Sequence, residues 1–207
     1  RRGILDGDTF DYLEALRSNV SVWDDDPTVL FGRNREAEAL NLKRLAELES
    51  ESFVLKAKEE LHEKTLHVNK IEGWKNALPI PIDLTLKIGA KVLFCTNKWG
   101  KYYNGERGVI KAIDEKEVIV EKAGEYIKVE RQEYTLHENV VMDGEVKEKL
   151  LVSIEQFPLK LAYAITIHKS QGMSIDSLVC NINNIFEKSQ FYVAISRARY
   201  PQQLLID

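Results

Sequence analysis

The spacing of apolar residues divides the chain into three stretches. Up to about residue 87 the pattern is mainly helical, with one clear strand. Phe10, Leu13 and Leu16 recur at three-residue steps, and Asp8 or Thr9 can cap a helix that carries them. Pro27 precedes TVLF, which reads as a short strand, and Gly32-Arg33-Asn34 follows as a loop. REAEALNLKRLAELE then places Ala37, Leu40, Leu45 and Leu48 on one broad apolar face and is rich in helix formers. Strand, short loop and helix in this order make half of a βαβ unit. Residues 50–87, punctuated by Pro79 and Pro81, show no clear pattern.

Residues 88–154 read as β. AKVLFC, RGVIKAI, EVIVE, YIKV and LLVSIE are short β-rich runs. Asn104-Gly105 is a strong hairpin signal, and Gly108, Gly124 and Asp143-Gly144 mark further bends. So many short strands in so few residues suggest a small barrel or SH3-like module. A module of this size is only marginally stable alone, so an insertion held by its host is expected.

Residues 155–207 return to α/β. LAYAITI lacks polar alternation, so it should be a strand buried on both faces, as in a parallel sheet. SLVCNI reads as another strand. SQFYVAISRAR reads as a helix with Phe191, Val193, Ala194 and Ala198 toward the core, and QLLID as a last strand. The pattern predicts an α/β domain made of residues 1–87 and 155–207, interrupted by a β domain at 88–154.

Composition adds limits. The 207 residues are 44% hydrophobic and 30% charged, which suits a soluble globular chain. No apolar run approaches the ~18 residues of a membrane span, and RRGILDGDTF lacks the apolar core of a signal peptide. Cys95 and Cys180 lie far apart in apolar runs, which suggests buried thiols in a cytoplasmic protein. No Cys/His cluster has metal-ligand spacing. The net charge of −4 argues against a wholesale polyanion binder, although a local groove can still be basic. Residues 156–207 hold five basic residues (Lys160, Lys169, Lys188, Arg197, Arg199) against three acidic ones (Asp176, Glu187, Asp207).

A phosphate-binding loop needs G-x-x-x-x-G-K-[ST], because only glycine lets successive N–H groups wrap a phosphate. Lys169-Ser170 follows His168, and Gly100-Lys101 is followed by Tyr102 with Cys95 at the earlier glycine position, so neither qualifies. VIKAIDE imitates an apolar strand ending in a Mg²⁺-holding Asp-Glu. A β-run follows at once, so Asp114-Glu115 reads as a hairpin turn. In AITIHKSQG a buried parallel strand delivers His168–Gln171 to the carboxyl edge of a sheet, where open α/β sheets bind ligands. Thr166, His168, Lys169 and Ser170 can all bond phosphate oxygens there, and a plain solvated turn is the other reading. Arg197 and Arg199 after FYVAI are either a solvated helix face or an arginine finger, a guanidinium that stabilises charge on a transferring phosphoryl group. In NKWGKYYNGERG, Trp99, Tyr102 and Tyr103 interleave with Lys98, Lys101 and Arg107. That pattern suits single-stranded nucleic acid or a hairpin tip packed on its own barrel.

QFPLKLAYAITIHKSQGMSID followed by QFYVAISRAR resembles motifs V and VI of the Pif-one/RecD-like helicases, the 5′-to-3′ branch of superfamily 1. IGAKVLFCTN and NGERGVI resemble the opening of that family's SH3-like insertion, TVLFGRNREAEALN its motif IV, and RRGILDGD the segment after motif III. The resemblance implies a second RecA-like domain carrying an inserted SH3-like β-barrel, a C-terminal half whose phosphate-binding loop lies in an N-terminal RecA-like domain. It implies ATP and Mg²⁺ bound mainly by that partner domain, single-stranded DNA as the other partner, no membrane, and an isolated chain that is inactive. By the same resemblance Arg197 is the catalytic arginine finger. Gln171, Gly172 and Arg33 are further ATP contacts, and Thr166, His168, Lys169, Ser170, Asn34, Trp99 and Tyr102 contact DNA, with Asn41 a neighbour of Arg33. Ser174 stands where threonine is usual, Ile195 where leucine is usual, and YPQQ interrupts the stretch before the last strand. Two alternatives stay open. One is a non-motor binding module centred on Trp99 and Tyr102. The other is a RecD-like subunit of an exonuclease V type helicase–nuclease complex.

Overall fold

A computed structural model describes residues 7–17, 27–62, 68–142, 145–183, 185 and 188–207. In chain order the elements are α1 (Gly7–Arg17), β1 (Thr28–Phe31), α2 (Asn34–Ala46), β2 (Ser52–Lys56), β3 (Lys58–Leu61), α3 (Val68–Ala77), β4 (Asp83–Lys87) and β5 (Lys91–Phe94). They continue as β6 (Arg107–Ile113), β7 (Glu117–Lys122), β8 (Glu125–Glu130), β9 (Gln132–Met142), β10 (Glu145–Gln156), β11 (Leu159–Leu161), β12 (Ala164–Thr166), β13 (Leu178–Cys180), α4 (Lys188–Ile195) and β14 (Leu204–Ile206). The chain forms two compact units. One comprises residues 1–49, 91–107 and 161–207, the other 50–90 and 108–160.

The first unit is built on a four-stranded sheet in the order β12-β1-β13-β14, parallel throughout. Phe31 pairs with Thr166, Leu30 with Cys180, and Cys180 with Ile206. Leu30 in the central strand is fully buried, among Ile165, Leu178, Leu204, Leu16 of α1, Ala194 of α4 and Leu93 of β5. Each large aliphatic side chain buried in this way contributes roughly 1.5–3 kcal/mol. Thr28 is buried but satisfied, its hydroxyl donating to the Ala162 carbonyl at 2.7 Å.

The outer strand β12 would leave backbone groups unpaired. Asn41 of α2 meets this need, since its amide donates to the Ala164 carbonyl at 2.7 Å and its carbonyl oxygen accepts from the Ala164 N–H at 2.9 Å. One side chain thus stands in for a neighbouring strand.

The second unit is mostly antiparallel. β2 pairs with β4, β3-β10-β9 form a second sheet, and β6, β7 and β8 form a meander. Its core holds Ile71 of α3 with Leu151, Val152 and Ile154 of β10. Gln156 is fully buried, and its amide donates to the carbonyls of Leu55 (2.8 Å) and Ile82 (2.9 Å). Arg131 lies over the Phe157 ring at 4.7 Å. Gly108 allows two strands to close up, because a Cβ there would lie 2.3 Å from Val120 Cγ1.

Several expectations change. Residues 50–87 lie in the β-rich unit, because β2 pairs with β4 and β3 with β10, while residues 91–107 join the parallel-sheet unit. The strand expected from LAYAITI contracts to β12. Tyr163 instead accepts a hydrogen bond from the Lys91 N–H through its hydroxyl. The helix expected through SRAR stops at Ile195, because Ala198 makes a parallel bridge to Ile175. Asp114 and Glu115 turn between β6 and β7, the Asp114 carboxylate accepting from the Lys116 N–H at 2.9 Å. RRGILDGD falls largely on residues 1–6, and the Asp143-Gly144 bend on 143–144. Both lie outside the described residues. No helix among the described residues is long and apolar enough to cross a membrane.

Candidate nucleic-acid and phosphate interface

Parallel strands bring their carboxyl ends to one edge of the sheet. Here β1 runs into Gly32-Arg33-Asn34, and its neighbour β12 runs into Ile167 and a 3₁₀ turn, His168–Ser170. The two turns are adjacent, since the Ile167 N–H donates to the Phe31 carbonyl at 3.0 Å. Arg33, Asn34, His168 and Lys169 are all exposed. Arg33 makes no ion pair among the described residues.

Thr166 and Ser170 do not join them. Thr166 is 4% exposed, and its hydroxyl accepts from the Lys169 N–H at 3.3 Å. Ser170 is fully buried and donates to the Ile167 carbonyl at 2.7 Å. The two positions expected to contact DNA are therefore buried, their hydroxyls committed to their own turn. Both hydroxyls face inward and close the turn that displays His168 and Lys169. Asn41 is likewise committed to Ala164.

The loop then leaves the sheet edge through Gln171 and Gly172, both exposed. Gly172 has φ +74°, a left-handed conformation that favours glycine. Arg197 belongs with this loop. Its Nε donates to the Val193 carbonyl (3.1 Å), Nη2 to the Ser196 hydroxyl (3.0 Å) and Nη1 toward the Met173 carbonyl (3.5 Å). The guanidinium is half-buried and oriented by neutral oxygens, and no carboxylate among the described residues offsets its charge. It therefore suits an anion next to Gln171 and Gly172. Arg199, two residues on, differs. It pairs with Asp176 at 2.9 Å and lies 4.0 Å from Glu106. An open groove of about 430 Å³, lined by Asp176, Ser177, Tyr200, Gln202 and Gln203, lies beside that pair.

The loop of residues 94–106 completes the region. Tyr102 is 3% exposed and stacks on Phe94, with ring centres 4.2 Å apart and planes at 13°. Its ring, expected to contact DNA, is covered by Phe94. Trp99, at the tip, is 90% exposed and meets Tyr103 edge-on at 6.5 Å. Of the aromatics in this loop, Trp99 is best placed to stack on a base.

Sequence reasoning missed three features: Asn41 on the outer strand, Asp176 and Glu106 around Arg199, and Gly105 against Ser174. A Cβ on Gly105 would lie 2.8 Å from the Ser174 carbonyl oxygen. The Asn-Gly pair signalled a turn, but nothing in its spacing indicates which distant backbone it touches. Among the described residues no three His, Cys, Asp or Glu side chains are grouped to hold a metal ion, so these residues do not fit a Mg²⁺ cage. Toward a nucleotide they offer a partial fit, Arg197 with Gln171 and Gly172.

No family model matches the chain. It is 40% identical over 215 aligned residues to the ATP-dependent DNA helicase Pif1 of Campylobacter jejuni, an alignment that covers 100% of this chain and 48% of that protein. A solved structure of Bacteroides sp Pif1 in complex with ADP-AlF4 superimposes with a TM-score of 0.79 at 29% identity, over 98% of this chain and 45% of that one. A structure of the Bacteroides Pif1 helicase with ADP-AlF3 and ssDNA gives 0.65 at 29% identity, over 98% and 46%. The chain thus spans about half the length of the relatives it matches. All three are Pif1 helicases by name, which does not favour the nuclease-subunit or binding-module alternatives. Its parallel α/β unit fits a RecA-like domain. By sequence and by fold, the chain belongs to the Pif1-like DNA helicase family, of whose members it spans a part.

Proposed function

We propose that this chain is the second RecA-like domain of an ATP-dependent 5′-to-3′ DNA helicase, with the β-rich unit as its inserted SH3-like domain. The observation that carries the proposal is Arg197. Among the described residues no carboxylate pairs with it, its guanidinium is fixed on Val193, Ser196 and Met173, and Met173 directly follows Gln171 and Gly172 in the chain. A preoriented cation of this kind stabilises charge that spreads over a transferring phosphoryl group. ATP supplies the hydrolysable phosphoanhydride, held with Mg²⁺ chiefly by a partner RecA-like domain. Arg33, an ATP contact by resemblance, is assigned to the DNA edge instead, because it is exposed beside His168 and Lys169 there. On the sheet edge Arg33, Asn34, His168 and Lys169 track the phosphates of single-stranded DNA, and Trp99 stacks on a base. Alternating closure and opening of the two RecA-like domains would then move the strand past these contacts.

The proposal is tested by joining the chain to a nucleotide-holding RecA-like domain and measuring ATP hydrolysis with and without single-stranded DNA. Wild type should be DNA-stimulated. Arg197→Ala should lower kcat by about 10³-fold or more while nucleotide still binds. Unchanged turnover in that variant would overturn the arginine-finger role.

A further inference from the structure

Trp99 presents an almost fully exposed indole on a loop in which Tyr103 is partly exposed beside it and Tyr102 is buried. The remainder of the loop shows what that indole is connected to. We propose that the loop of residues 94–106 is a positioning element for Arg197, and that a base stacked on Trp99 sets its position. The inference rests on the motor reading above and adds a route by which DNA occupancy reaches the arginine.

The loop is stiff. The Lys98 N–H donates to the Tyr102 carbonyl at 2.8 Å and the Tyr102 N–H to the Lys98 carbonyl at 3.0 Å, which closes the tip around Trp99. Tyr102 stacks on Phe94, which is fully buried. The Asn104 N–H donates to the Asn97 side-chain oxygen at 2.7 Å, and the Gly105 N–H to the Phe94 carbonyl at 2.8 Å. A load on Trp99 therefore moves the tip and base together.

The base lies directly on the loop that holds Arg197. Gly105 has φ +91°, and a Cβ there would come within 2.8 Å of the Ser174 carbonyl oxygen and 2.9 Å of its nitrogen, so backbone rests on backbone. The neighbouring Asn104 amide faces the Gly172 carbonyl at 3.5 Å. On its other side the same stretch carries the arginine segment. The Ile175 N–H donates to the Arg197 carbonyl at 2.8 Å, the Arg199 N–H donates to the Ile175 carbonyl at 2.9 Å, and Nη1 of Arg197 points at the Met173 carbonyl. Arg199 adds a second tie through Asp176 toward Glu106. Residues 172–176 are thus clasped between the loop and the arginine, and packed elements of this kind transmit small shifts. Only a ligand that binds one arrangement better than another can shift the balance, and a stacked base supplies that difference at Trp99.

The test uses the full-length protein and a thymidine oligonucleotide at saturating concentration. Trp99→Ala should lower kcat at saturation by about tenfold or more, because misplacing a catalytic group by ~1 Å costs up to about 100-fold. Trp99→Phe should keep most of the rate, since any aromatic face stacks. Gly105→Ala should lower kcat with KM for ATP unchanged. If Trp99→Ala binds DNA more weakly yet regains the wild-type kcat at saturation, Trp99 is a contact only and the inference falls. A folded Gly105→Ala with wild-type kcat overturns it as well. Should Gly105→Ala fail to fold, the exposed Trp99 variants decide alone. Absence of DNA stimulation in the wild type would instead overturn the motor reading itself.

Discussion

At the carboxyl edge of the parallel sheet Arg33, His168 and Lys169 stand exposed on two adjacent turns. Arg197, on the segment that leads into β14, is half-buried and engages two carbonyls and a hydroxyl. The buried hydroxyls of Thr166 and Ser170 shape the first site from beneath, and Met173 and Val193 hold the second from the side. The difference matches two kinds of electrostatic task. A cation that follows a sliding polymer needs reach and loose holding. A cation that stabilises charge in a transition state needs its geometry set beforehand, so that no reorganisation is required at the moment of reaction. Arg199 is the internal control. It sits two residues from Arg197 but is matched by Asp176, so similar positions along the chain do not mean similar availability.

The strongest way to break this comparison is Arg197→Lys, which keeps the charge and removes the fork. Lysine carries a point charge on a flexible stem and cannot hold Val193 and Met173 together. If preorientation matters, DNA-stimulated kcat should fall by about 10²–10³-fold, close to the loss on deleting the side chain. Steady-state kinetics at saturating ATP and DNA measure this. A kcat within a few-fold of wild type would show that charge alone suffices and that the two faces do not differ in kind.

Much of this architecture was legible in the chain. TVLF, the α2 helix, SLVCNI and QLLID each became elements near their expected places, because period and composition are local properties. IHKSQG and SRAR proved to lie on neighbouring segments, joined where the Ile175 N–H donates to the Arg197 carbonyl. What stayed illegible was which side of each loop faces water. Thr166 and Ser170 looked as available as His168 and Lys169, because a short polar side chain can bond a phosphate or its own turn equally well. Tyr102 and Trp99 were equivalent in sequence, and only the non-local stack on Phe94 separates them. β9 was missed because its run, QEYTLHENVVM, is polar and its long pairing with β10 is what makes it a strand. Residues 50–87 showed no clear pattern because β2 and β4 pair only across the intervening β3 and α3, and β3 pairs with β10, far along the chain.

A smaller effect should come from Asn41, which supports the outer strand β12 at its first residue, Ala164. Asn41→Leu keeps similar bulk but leaves the N–H and carbonyl of Ala164 unpaired, at a cost of about 1–3 kcal/mol. Urea denaturation of the purified chain gives the value directly. If the two faces are held independently, the loss should also weaken DNA binding at the edge and leave the hydrogen bonds of Arg197 in place. Full stability in Asn41→Leu would mean that packing of α2 alone secures β12.

The smallest expected effect sharpens the comparison most finely, because it separates charge from contact. A cation that neutralises one phosphate of a single strand releases about 0.7 counterions, so deleting it should flatten the salt dependence of binding by about that amount. Lys169→Ala and Arg33→Ala should each weaken oligonucleotide binding a few-fold and reduce the slope of log K against log salt by ~0.7. Trp99→Ala should weaken binding with the slope unchanged, since a stacked base displaces no counterion. Arg197→Ala should leave the slope unchanged too, because its guanidinium is turned to the protein oxygens of Val193, Ser196 and Met173. Fluorescence anisotropy across a salt series reads all four variants on one scale. A slope that drops for Arg197→Ala as it does for Lys169→Ala would place both arginine-bearing faces on DNA and remove the distinction between gripping and catalytic cations.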